Sequence, residues 1–177
     1  MKTSLRIIRS VLFLIPAVMA LTTDISLTGL SIFFGAVSLS AAFVTLIHIF
    51  IHFDQKFNEK LIMEFVADIF FGIVIFTYPQ PSAAFFLIIF SGWLFVMGML
   101  FLVSGLVALR KESLFWFYVL AGISYMTMAF VIMNYNPDLL AMMPMVLGIV
   151  MLTYSVVNLF LFSKRKKELY EATEDSI

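Results

Sequence analysis

Between Leu61 and Leu109 the chain is two apolar runs parted by four residues, Pro79-Gln80-Pro81-Ser82. The first run, Leu61 to Tyr78, has 18 residues; as a helix rising ~1.5 Å per residue it spans about 27 Å, close to the thickness of a bilayer's hydrocarbon layer. The second, Ala83 to Leu109, is longer. This is a helical hairpin sized for lipid, and the chain before and after it follows the same plan.

Val11 to Thr23 is an apolar arm behind a basic leader with Lys2, Arg6 and Arg9, and Leu27 to Phe53 is its partner. Leu114 to Met133 and Leu139 to Phe162 make a third pair, followed by a tail, 163–177. The expected fold is therefore an all-α integral membrane protein. Six transmembrane helices form one domain over 1–177, as hairpin repeats over 5–53, 61–109 and 114–162. Composition agrees: 63% of residues are hydrophobic and 12% charged, against about 25% charged in soluble domains. There is no cysteine, which excludes disulfide frameworks, thiolate metal sites and thiol catalysis.

The leader, the 54–60 connection, the Arg110-Lys111-Glu112-Ser113 connection and the tail hold all 11 Lys and Arg. The other three connections hold none. Short basic loops stay on the cytoplasmic side, so both termini are expected in the cytoplasm of a multi-pass protein of the inner (cell) membrane. The leader also fits a secretory signal cleaved after Ala20; cleavage would remove the first arm of the first repeat.

The repeat is measurable. Asp24 precedes Gly35, Pro81 precedes Gly92 and Pro137 precedes Gly148, each by 11 residues, in steps of 57 and 56. Pro suits a first helical turn, Asp suits the helix dipole there, and Asn136 suits an N-cap. Asp24, Pro81, Asn136 and Pro137 are thus expected turn and cap residues. Gly35, Gly92, Gly98, Gly105 and Gly148 sit where small residues let membrane helices approach closely. Seven-residue tracks reinforce this: Thr28, Gly35, Ala42; Ala84, Ser91, Gly98, Gly105; Ala141, Gly148, Ser155.

Three tandem hairpins with Pro79, Pro81, Ser82, Gly92, Gly98 and Gly105 in the second and Asn136, Pro137 and Gly148 in the third, plus Gly72 and Gly122 in first arms, resemble the HdeD family of bacterial acid-resistance membrane proteins. The resemblance spans nearly the whole chain. The first repeat departs from it, with Asp24 in place of Pro. It implies a six-helix inner-membrane protein linked to acid stress, with no catalytic residues.

Ionisable groups within spans mark functional candidates. Glu64 and Asp68 lie one turn apart on the third span, and His48 and His52 one turn apart on the second. Carried by 57 residues, Arg9 falls level with Val66, between the two acids. A cluster of Arg9, His48, His52, Glu64 and Asp68 follows, with two readings. One is a proton-responsive site, since burial and a second carboxylate both favour the protonated acid and histidine titrates near neutrality. The other is an ion pair from Arg9 to Glu64 or Asp68 that docks the first hairpin on the second. No metal site is expected, because the spacing of zinc ligands is missing.

Pro16 and Pro144 fall inside spans and are expected to kink them. Tyr154, Ser155 and Asn158 on the last span are candidates for interhelical hydrogen bonds. Lys164, Arg165, Lys166 and Lys167 follow that span directly, where basic residues attract anionic lipid headgroups. The expected partners are the bilayer, those headgroups at the cytoplasmic face and a homo-oligomer joined by small-residue faces, with no nucleic acid. No cofactor is expected, and the chain is read as a non-enzyme that protects or senses at the membrane under acid stress. The alternative is a small proton-linked transporter or channel.

Overall fold

The computed structural model describes residues 2–51, 59–77, 82–108 and 114–174, and among them there are helices and short connections but no strand. Six α-helices follow in order: α1 (Lys2–Thr22), α2 (Leu27–Ile51), α3 (Glu59–Thr77), α4 (Ala83–Val103), α5 (Phe115–Met133) and α6 (Met143–Glu174). A π-helical turn, Ser104–Ala108, continues α4, and a 3-10 helix, Pro137–Met142, leads into α6. His52 and Pro81 lie outside the described residues.

Five of these helices, all but α3, are long and apolar enough to cross a membrane. Lys60, Glu64 and Asp68 set α3 apart in sequence, but its placement explains them. Asp68 is wholly buried and Glu64 only 7% exposed, while Ile62, Met63, Val66, Phe70, Ile73 and Phe76 look outward, Phe70 at 57%. Charge inside and Phe outside inverts the arrangement that water selects. Several hydroxyls bond back to their own helices: Thr45 donates to the Ala41 carbonyl at 2.8 Å and Ser91 to that of Ile88 at 2.9 Å, whereas the buried Ser38 and Ser155 hydroxyls have no partner among the described residues.

The most extensive packing runs between hairpins rather than within them: α2 on α3, α4 on α5, and α6 back on α1, with α1 on α2 and α3 on α4 lesser and α5 barely touching α6. Strong and weak packing alternate around the bundle in threefold-like order, and α2 also reaches α4 and α6. Glycines sit at each strong pairing. A Cβ on Gly35 would come within 3.0 Å of Ile75, one on Gly148 within 2.9 Å of the Ala20 Cβ, and one on Gly98 within 2.9 Å of the Gly122 carbonyl. Gly92 faces Phe71, and Gly105 faces Tyr118 and Val119. These glycines are occupied within one chain, so a homo-oligomer would use other faces.

The helix starts refine the expected caps. Asp24 stands in the connection, and Ser26 accepts from the Gly29 amide at 3.1 Å. Ser82 caps α4 by accepting from the Phe85 amide at 3.1 Å. Asn136 accepts from Asp138, at 3.1 Å, and opens the 3-10 helix that begins at Pro137. That helix delays α6 to Met143, so Pro144 occupies a first turn, where its missing N–H breaks no bond; it does not kink a span. α1 is continuous through Pro16. Residues 163–174, expected as a tail beyond the last span, extend α6 as helix.

Candidate functional site

The site lies where α1 and α3 begin and α6 passes the end of its apolar stretch. α1 brings Arg9, only 6% exposed, to the two acids of α3. Its Nη1 donates to Glu64 Oε2 and its Nη2 donates to Asp68 Oδ2 at 2.6 Å. The second oxygens are used as well. Lys60, one turn before Glu64, places Nζ 3.6 Å from Oε1, and Trp93 of α4 donates its indole N–H to Asp68 Oδ1 at 3.0 Å. Four carboxylate oxygens thus meet two cations and one indole, and the charges of Arg9, Lys60, Glu64 and Asp68 cancel. The planar guanidinium suits this bridge, since its two Nη groups can serve two acceptors.

Aromatic rings close the cluster on the inner side. The Trp93 ring lies 4.9 Å from that of Phe13, 5.2 Å from Phe34 and 5.0 Å from Tyr154, centroid to centroid. Lys60 Nζ sits 4.1 Å above the Phe101 ring and 5.3 Å from that of Tyr118, a cation–π arrangement. Tyr154 O–H donates to Met97 Sδ at 3.5 Å. On the other side a small cavity of about 10 Å³ remains, lined by Arg6, Arg9, Ser10, Glu64, Tyr154 and Asn158.

Of the residues expected to cluster, Arg9, Glu64 and Asp68 are in direct contact. His48 is half-buried on α2. Among the described residues no group of three His, Asp or Glu side chains gathers to hold a metal ion. Lys164, Arg165, Lys166 and Lys167 fall on the extension of α6. Trp93 and Lys60 are the members that sequence reasoning missed. The signal for Trp93 was its lone N–H in an apolar span, which needs an acceptor. Trp93→Phe should lower the unfolding temperature of the detergent-purified protein, by the equivalent of about 1.5–3 kcal/mol for a hydrogen bond to a charged group. Trp93→Phe and Asp68→Asn together should cost less than the sum of their separate losses, because both remove the same hydrogen bond, which melting curves of the single and double variants measure.

The family described as "Short repeat of unknown function (DUF308)" matches residues 66–134, from within α3 to the end of α5. The match takes in Asp68, Trp93 and the Gly98–Gly122 crossing, and leaves Arg9 and Glu64 outside. No curated protein and no solved structure matches the chain. Five helices able to cross a membrane, with a repeat-family match through the middle of the chain, support a multi-pass membrane protein.

Proposed function

We propose that the chain is a six-span inner-membrane protein of HdeD type that protects or senses under acid stress without catalysing a reaction. The observation that carries this is the buried pair Glu64 and Asp68, held by Arg9 across two hairpins. Carboxylates that tie helices together lose that tie as they take up protons, so acid acts on the packing of the bundle itself. α3 is the sixth span, its charges paired inward and its apolar face turned to lipid. Both termini lie in the cytoplasm, in keeping with the distribution of Lys and Arg. Lys164 to Lys167 meet anionic headgroups there. A proton-linked transporter is the second reading, favoured by the polar cavity against Glu64; the rings packed behind Asp68 weigh against it.

The test is acid survival of a deletion strain carrying the wild-type gene or Arg9→Met/Glu64→Gln/Asp68→Asn, in which no buried charge of the bridge is left without its partner, with membrane abundance quantified in parallel. Rescue by the wild type alone, at equal abundance, is the expected result. Equal rescue by both would make the acids dispensable, and failure of the wild type would remove the acid-stress role.

A further inference from the structure

The cavity beside Arg9 has a composition that the ion cluster does not explain. Arg9 spends Nη1 and Nη2 on the carboxylates, and its Nε–H is buried with no acceptor among the described residues. Asn158 donates its amide to the Tyr154 carbonyl at 2.8 Å, which leaves its Oδ1 as an acceptor. Ser10 is almost wholly buried, 3% exposed, and Glu64 adds a carboxylate to the wall. Donors and acceptors are mixed, and Glu64 opposes an anion. The volume, about 10 Å³, approaches the ~10–15 Å³ that one water needs, and a buried water takes 2–4 polar partners.

We infer that this cavity is a water site through which protons reach Glu64 from the end of the bundle where α1 begins. The inference rests on the acid-responsive reading above and adds its route. Burial deepens along that route, from half-exposed Arg6 through Glu64 to fully buried Asp68, one turn further in. A hydronium at the site gives one proton to a Glu64 carboxylate oxygen, leaving water in the cavity and a neutral acid on α3. The charged and titratable groups facing Glu64 are Arg6 and Arg9 from α1, Lys60 and Asp68 from α3, and Tyr154 from α6. α4 offers the Trp93 indole to Asp68, α5 places Tyr118 beneath Lys60, and α2, packed on α3, carries His48 near the same end. Once Glu64 is neutral, Arg9 keeps one carboxylate and Lys60 keeps its two rings.

Trp93 makes the route observable, because its N–H is bonded to Asp68. The chain has 2 Trp, so Trp116→Phe leaves Trp93 as the sole fluorophore of its kind. This full-length parent, in detergent, is mixed rapidly from about pH 7.5 to about pH 3, through ordinary carboxylate titration and below it, where an ion-paired acid takes up its proton. Asn158→Leu and, from the facing wall, Ser10→Val fill the cavity while leaving both acids in place. The expected result is a Trp93 emission shift in the parent that vanishes in Arg9→Met/Glu64→Gln/Asp68→Asn, which removes the acids without leaving the bridge's arginine unpaired. In each filled variant it should reach the same end point at least an order of magnitude more slowly. Filled variants that respond as fast as the parent would overturn the route and leave the acid-responsive reading standing. No shift in the parent, or a shift that survives loss of both acids, would overturn both.

Discussion

Arg9→Met should nearly empty the membrane of folded protein. The substitution keeps the length of the side chain but leaves Glu64 and Asp68 buried with neither Nη donor. Breaking a buried ion pair from one side costs about 3–5 kcal/mol, a large part of the ~5–15 kcal/mol that folded domains possess. Immunoblots of membranes and melting curves in detergent measure the loss. The diagnostic comparison is Arg9→Met/Glu64→Gln/Asp68→Asn. Removing all three charges together should restore much of the abundance, because well-packed neutral groups often replace a buried ion set at little cost. Arg9→Lys should fall between, since an ammonium is a point charge without the fork that reaches both acids. Full abundance of Arg9→Met would mean that the ion bridge does not dock α1.

Gly122→Val is expected to do comparable damage without touching a charged group. A Cβ there would lie 2.8 Å from the Gly98 carbonyl oxygen and 2.8 Å from the Leu102 amide nitrogen, both backbone atoms. No rotamer change relieves such a clash, so α4 and α5 would have to separate along the most extensive contact in the bundle. Overpacking a core typically costs about 1–3 kcal/mol, and this site belongs at the upper end or beyond. Gly29→Ala is the control: the nearest atom is Cγ1 of the flexible Ile25 side chain at 3.0 Å, and Ala is the better helix former by roughly 1 kcal/mol. Gly122→Val should lower the melting temperature sharply while Gly29→Ala leaves it near wild type. Equal melting of the two would show that the α4–α5 crossing tolerates a wider gap.

Most of the helices were legible as apolar runs bounded by Ser, Asn, Pro or charge, although α3 carries Lys60, Glu64 and Asp68 and α6 continues through the charged residues 163–174. The meeting of Arg9 with the acids was legible too, from repeat arithmetic alone: 57 residues on from Arg9 is Val66, between Glu64 and Asp68. Trp93 was not, because no spacing encodes which face of α4 turns towards Asp68 on its neighbour α3. Nor was the order of packing. The hairpin is the unit of repetition along the chain, yet α5 and α6, adjacent in sequence, scarcely touch. Loops set which helices are neighbours in sequence, whereas small residues such as Gly98, Gly122 and Gly148 set which ones come closest. Pro144 misled for a local reason: a 3-10 helix from Pro137 shifts the start of α6 and places the proline in its first turn.

The seam between α1 and α6 has a consequence for biogenesis. Phe13 packs on Tyr154, and Ala17 and Ala20 pack on Gly148, so much of the inner face of α1 is built to meet α6, made more than a hundred residues later. During translation α1 can engage α2, and Arg9 can find its acids once α3 has entered the membrane. The rest of that face stays in lipid until 143–161 leaves the ribosome. The ion bridge is then a holding clamp for a half-made bundle, and α6 is the keystone whose arrival covers the rest of α1.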